Sequence, residues 1–260
     1  MLLVLFRLIH PKATADQIIT LIAAHSSDGK RYTRPDISKR ESELGFARKR
    51  GSTTALQAFT PRNLLRRQNF RALSYPFGVL GTPRIRLLDA DEAGLWFEKH
   101  VPKYGKALST VRVRAPGIYG HGDKWTLIMA IDCSGRRWVR LTKEAGTGVA
   151  AFDQFVANIV ASLPSPANGG VQRTFMWDNL SAHLNAQVYN TVTAAGHRVL
   201  RRPPYRPVDG PIEYVFNTLQ GEISRRIGEI QDDNSFVAVI RDVITNLTGF
   251  DAYFVNCGYT

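Results

Sequence analysis

Three acids stand where a strand stops or a helix starts, and together they could hold divalent cations. Asp91 falls near the end of the strand-like run IRLLDADEAGLWF, Asp178 ends the apolar run TFMW, and Glu213 opens a helical pattern after the turn YRPVDGP. In open sheets containing parallel strands, ligand sites collect at strand ends, where loops and helix starts converge. Acids 87 and 35 positions apart in the chain can therefore meet. Carboxylates brought together repel one another unless a cation lies between them. Mg²⁺ is the expected ion, with Mn²⁺ as its substitute, because hard ions take oxygen ligands and keep positions for water and phosphate. Two such ions about 3.5–4 Å apart can activate an attacking oxygen and stabilise a leaving one in a phosphoryl displacement. A polynucleotide is the natural substrate for that chemistry.

Neighbouring residues offer plainer readings. Asp89 shares a strand face with Asp91 and Glu92 follows it, so spacing leaves open which acid is the ligand. Asp132 precedes CSG and suits a turn. His183, in DNLSAH, is either a helix-entry polar residue or a group that orients substrate or metal, and capping is the plainer of the two. Glu213 would be favoured in a first helical turn by the macrodipole alone. Its helix, however, carries Ile212, Phe216, Leu219 and Ile223 as one stripe, and Glu213 borders that stripe rather than opposing it.

The elements that must position these acids belong to a basic chain of 260 residues with net charge +12, for which nucleic acid is the leading partner. The charge is segregated. Residues 1–83 carry 14 Lys and Arg against 5 Asp and Glu, and residues 84–260 carry 20 against 17. Residues 1–75 read as short helices in a helix-turn-helix-like, DNA-binding arrangement. Thr14 and Gln17 form a capping box, Pro35 opens a second helix, and Thr60–Pro61 starts another. Arg48, Lys49 and Arg50, with Arg66 and Arg67, are the candidate nucleic-acid contacts.

A Pro- and Gly-containing linker, 76–83, precedes three strand patterns and then alternating helices and strands over 84–250. That order implies an α/β architecture, a mixed sheet with flanking helices. Residues 251–260 are expected to be a C-terminal tail. Cys133 and Cys257 have no metal-ligand spacing, so neither a disulfide scaffold nor a cysteine-bound zinc is expected, and a reducing compartment is. The opening MLLVLFRLIH is too short for a membrane span and lacks a signal-peptide pattern, so it reads as core, with neither membrane association nor secretion expected.

At the acidic residues the sequence resembles the Tc1/mariner and IS630 superfamily of DDE transposases. LLDADEAGLWF is similar to that family's strand ending in Asp-Glu, FMWDNLSAH to its apolar strand followed by Asp-Asn and a nearby His, and PPYRPVDGPIEYVF to its Pro-Tyr-Ser-Pro and Asn-Pro-Ile-Glu signature. The 34 residues between Asp178 and Glu213 match the family's spacing. The resemblance implies an RNase H-like fold, Asp91, Asp178 and Glu213 as catalytic acids on two Mg²⁺ ions, and Asn179 and His183 in support. It further implies cleavage of double-stranded DNA at terminal inverted repeats and joining of 3′-hydroxyl ends to target DNA. Arg206 stands where the family usually has Ser, and Gly210 where it usually has Asn. The N-terminal part has room for one helix-turn-helix unit where members often carry two. A truncated or domesticated derivative that binds DNA without transposing is therefore the alternative, and an RNase H-like nuclease without strand transfer is a third. A homodimer is one assembly this reading allows, in the nucleus of a eukaryote or the cytoplasm otherwise.

Overall fold

The computed structural model describes residues 1–27, 29–47, 55–100, 123–143 and 146–260, apart from the Lys99 side chain. The chain forms two units, Met1–Thr54 and Ala55–Thr260.

The smaller unit contains α1 (Leu2–Ile9), α2 (Ala15–His25) and α3 (Arg34–Glu43). Both expected helix starts are present. Thr14 and Gln17 satisfy each other's backbone N–H groups in a capping box at α2, and Thr33 and Asp36 do the same at α3, with Pro35 in its opening turn. Leu3, Phe6, Ile18, Ile22 and Ile37 make the core of this unit. The segment MLLVLFRLIH is a helix with only one face in that core, because Leu5, Leu8 and Ile9 are exposed. Arg48, Lys49 and Arg50 lie outside the described residues.

The larger unit begins with α4 (Pro61–Ala72), capped by Thr60, followed by β1 (Leu87–Leu95), β2 (Trp125–Asp132) and β3 (Arg137–Thr142). Then come α5 (Val149–Ser162), β4 (Thr174–Trp177), α6 (Ala186–Ala194), β5 (Arg198–Arg201), α7 (Pro211–Arg225), α8 (Asp233–Asn246) and α9 (Phe250–Asn256). The five strands form one mixed sheet in the order β3-β2-β1-β4-β5, antiparallel across the first three and parallel across the last three. This is the RNase H-like α/β arrangement expected.

Side-chain alternation divides β1 between two cores. Leu87, Ala93 and Leu95 face α7, α8 and α9, while Leu88 and Ala90 face α5 and α6. The stripe on α7 is buried as expected, with Val215 added to Ile212, Phe216, Leu219 and Ile223.

Three expectations change. β1 does not end at Asp91 but continues four residues to Leu95, because β2 pairs with it along that whole length. What ends is the parallel pairing with β4, whose last partners are Asp89 and Met176. Asp91 therefore lies just past a local strand end, and Asp178 just past the end of β4. Residues 251–260 are not a free tail. α9 adds Phe254 to the core, Cys257 and Tyr259 are buried there, and the Thr260 carbonyl accepts from Arg84 N–H at 2.6 Å. Finally, α4 belongs to the larger unit rather than with α1–α3. Phe70 is in the large core, and Arg71 donates to Asp209 at 2.7 Å and stacks over Tyr259.

Candidate active site

The loop after β5, the start of α7 and the point where β1 and β4 stop pairing line an open cavity of about 420 Å³. Asp91, Asp178 and Glu213 all line it, with Asn179, Arg202, Arg206 and the Pro203–Pro204–Tyr205 turn. Tyr205 adopts φ 58°, a left-handed conformation that is strained for a non-glycine residue. That turn reverses the chain from β5 into α7 and so sets where Glu213 emerges.

Asp91 and Asp89 have separate roles, though spacing could not divide them. Asp89 is fully buried. Its Oδ2 accepts the Ile212 N–H at 3.0 Å, capping the first turn of α7 from a distant strand. Gly210, the N-cap residue, supplies no side-chain cap of its own. Burial pushes the Asp89 carboxyl up to about 7, against the pull of Arg202. Asp91, only partly buried, accepts its neighbour Glu92 N–H on Oδ1 at 2.8 Å and Arg202 Nη2 on Oδ2 at 2.5 Å.

Asp178 accepts from Leu180 N–H at 2.9 Å through Oδ1, a local turn that fixes the carboxylate at the strand end. The same oxygen lies 2.6 Å from His183 Nδ1. Burial works to raise the Asp178 pKa, but the bonds from His183 and Leu180 outweigh it and hold the group below its ordinary value. Glu213 shifts the other way. Burial raises it, and the negative charges of Asp91 and Asp178 add to that rise. The three carboxylates are thus close enough, around one cavity, to disfavour each other's charge. Asn179 donates to the Arg202 carbonyl at 2.8 Å, tying the end of β4 to the end of β5.

His183 is not a helix cap; Asn185 fills that role for α6. Instead His183 is buried, bridges Asp178 and Glu92, whose Oε1 is 3.2 Å from Nε2, and lies over Phe152 with ring centroids 4.0 Å apart. Burial opposes its charge, yet the two acids raise its pKa overall. Glu92 points to the opposite sheet face from Asp91, as alternation requires. Replacing His183 with Ala removes the group that holds Asp178 in place. It is expected to lower any cleavage by about 10- to 100-fold, measured as the single-turnover rate beside wild type. Asp132 has the turn role, accepting from Ser134 and Arg136 N–H groups.

Arg66 lines a second cavity of about 390 Å³ that shares Asn179, Arg202, Pro203 and Pro204 with the first. Arg67 is exposed on α4 but does not line either cavity. Arg202 was not singled out in the sequence. Alternation does carry its signal, because Leu200 is a core residue and Arg202 follows at the same phase, on the face that bears Asp89 and Asp91.

Among the described residues, no group of three or more His, Cys, Asp and Glu is assembled to hold a metal ion. The donors nevertheless suit a hard divalent ion: three carboxylates line one cavity, and among the described residues Asp178 forms an ion pair with His183 while no ion pair engages Glu213. Of the three, among the described residues, it is Asp91 that forms an ion pair with an arginine, Arg202.

A mixed five-stranded sheet with helices on both faces is an RNase H-like fold. Residues 86–235, more than half of the sequence, match the DDE superfamily endonuclease family, and the chain belongs to that family. Among solved structures it is similar to a pre-cleavage Mos1 transpososome, at 19% identity and TM-score 0.64, over 98% of this chain and 73% of that one. The Mos1 mariner paired end complex with Mn is similar at 19% identity and TM-score 0.63, with the same coverage. The corresponding complex with Mg gives 17% identity and TM-score 0.63, again over 98% and 73%. No curated protein matches the chain.

Proposed function

We propose that this DDE superfamily endonuclease is a mariner-like transposase, with Asp91, Asp178 and Glu213 as its catalytic acids and divalent-cation ligands. The carrying observation is that these three residues, far apart in sequence, line one cavity beside the end of the β1–β4 pairing and the start of α7. Bound there, Mg²⁺ or Mn²⁺ ions would supply Lewis-acid activation and charge neutralisation for in-line displacement at phosphorus. The protein's own part is positioning. Leu180 N–H and His183 fix the Asp178 carboxylate, and Asp89 anchors the helix start that carries Glu213. Glu213, brought in on α7 from outside the sheet, would complete the cation site and help position an attacking water. Similar solved structures, described as mariner Mos1 paired end complexes with Mn and with Mg, support the divalent-cation reading.

The substrate is double-stranded DNA bearing terminal inverted repeats, cut and then joined through its 3′-hydroxyl to target DNA. Purified protein with Mg²⁺ is expected to nick end-bearing DNA and to join those ends to a target plasmid. Binding without nicking would favour a domesticated derivative, and nicking without joining a simple nuclease. Among the described residues, no helix is long and apolar enough to cross a membrane.

For the DNA path, the basic helix α4 supplies the contact nearest the cavity, through Arg66, with Arg67 beside it. The Arg48–Lys49–Arg50 cluster is a further contact, and α1–α3 form the helical DNA-binding region. The α2–α3 connection, residues 26–33, is longer than the three- or four-residue turn of a compact helix-turn-helix. Replacing Arg66 and Arg67 together with Ala should reduce the slope of log affinity against log salt by about 2. An unchanged slope in a binding titration would remove both from the interface.

A further inference from the structure

The guanidinium of Arg202 is buried between two acids of the site. Nη2 lies 2.5 Å from Asp91 Oδ2, and Nε lies 3.3 Å from Asp89 Oδ1. The first contact is a hydrogen-bonded ion pair; the second is close enough for attraction but misaligned for a hydrogen bond, leaving Asp89 Oδ1 without a donor. Arg202 is 3% exposed and is held at its backbone as well, donating N–H to the Trp177 carbonyl at 2.8 Å and accepting from Asn179. It therefore cannot swing into solvent without breaking buried contacts.

Gly210 makes the space for it. Its backbone, at φ −105° and ψ 111°, is open to any residue, so conformation does not demand glycine. What glycine provides is room for the guanidinium, since a Cβ there would overlap Arg202 Nη1 and stand 2.8 Å from Cζ and 3.4 Å from Asp89 Oδ2, forcing the arginine to shift. The helix start gives up a side-chain cap at this position, and Asp89 supplies one instead. Gly210, Asp89 and Arg202 thus form one arrangement, and its outward face is the Asp91 carboxylate in the cavity.

We propose that Arg202 is a tethered counter-cation for Asp91, admitted by Gly210, and that it sets the divalent-cation concentration at which the carboxylate cavity fills. This rests on the metal-binding reading above. A fixed positive charge beside a ligand repels an incoming dication and competes for the same carboxylate oxygen. Removing it leaves Asp91 free at the cavity wall and lowers the concentration needed. Arg202 acts through Asp91 and is a positioning residue.

The test is Mn²⁺ binding to the full chain without DNA, with free Mn²⁺ read by electron paramagnetic resonance and folding checked by circular dichroism. Arg202→Met is expected to lower the half-saturating Mn²⁺ concentration by about tenfold, the scale of one charge acting on a dication across a few ångströms of hydrated protein. Gly210→Ala keeps the arginine but pushes it off Asp91, so it should shift affinity in the same direction. It also carries the test if Arg202→Met does not fold. Arg202→Lys, which retains the charge, should stay close to wild type, and a combined Asp91→Asn change should erase the gain. Unchanged or weaker Mn²⁺ binding in both Arg202→Met and Gly210→Ala overturns the proposal while leaving the metal site standing. Absence of Mn²⁺ binding in wild type and all variants overturns the metal reading together with it.

Discussion

Asp178→Asn is expected to reduce Mg²⁺-dependent DNA cleavage by more than about a hundredfold, beyond the 10- to 100-fold typical of losing a group that merely supports a metal ligand. The substitution is nearly isosteric. Its remaining carbonyl oxygen can still accept the Leu180 N–H, so the turn after β4 should persist. What disappears is a carboxylate whose pKa is held low and which faces the cavity with Asp91 and Glu213. Neutral amides are weaker ligands for hard dications than carboxylates. The loss should therefore appear as a fall in rate with the melting temperature almost unchanged. Paired single-turnover and thermal-unfolding measurements check this, and a comparable rate in the variant would exclude Asp178 from the chemistry.

Trp177→Ala should have the largest effect on stability. Trp177 is completely buried at the end of β4, its ring edge-on to Phe152 at 5.6 Å and near Phe175 and His183 at 6.3 and 6.4 Å. Truncating such a residue leaves a cavity and typically costs about 3–5 kcal/mol. That is a large fraction of the roughly 5–15 kcal/mol by which domains are stable. The melting midpoint should fall by about 10 °C. Activity should fall as well, because Phe152 and Trp177 form the wall against which His183 holds Asp178. Trp177→Phe should recover most of the stability. Denaturant unfolding measures the change, and a loss under about 1 kcal/mol would show that the α5–α6 face repacks around the gap.

Much of this site was legible because strand and helix periods report which residues share a face. The α7 stripe placed Glu213 at the border of the buried surface, and TFMW ending in Asp178 marked a strand end, both as found. Spacing alone could not separate Asp89 from Asp91, because a period of two assigns them the same face, and only the family resemblance selected Asp91. Their difference arises from α7, whose start closes over Asp89 and leaves Asp91 at the cavity. Depth along a strand depends on what packs across it, which local spacing does not encode.

For His183, local reading favoured capping while the family resemblance implied a supporting role, and the structure excludes capping for a related reason. A polar residue shortly before a helix ordinarily caps it, yet Asn185 lies nearer the helix start and takes that position. The contacts that give His183 its role come from Glu92, 91 residues away, and from Phe152 on α5. The C-terminal residues looked like a tail because so few remain after α8. α8 ends at Asn246, where Leu247 turns extended, and Gly249, at φ 77°, is the N-cap residue from which Phe250–Asn256 starts, placing Phe250 and Phe254 in the core. At Gly210, departure from the family pattern was visible, whereas its cause, the Arg202 guanidinium filling the space of a side chain, required the fold.

The central claim is that Asp91, Asp178 and Glu213 act as one divalent-cation site for cutting DNA. Glu213→Gln tests it most directly, because this residue comes from a separate helix and its placement depends on the whole fold. Supercoiled DNA carrying the element's ends would be incubated with Mg²⁺ and either wild-type or Glu213→Gln protein, and nicked circles followed over time. The account predicts nicking by wild type that EDTA abolishes, and nicking by the variant reduced more than about a hundredfold with DNA affinity retained. Equal nicking by the two proteins would contradict it.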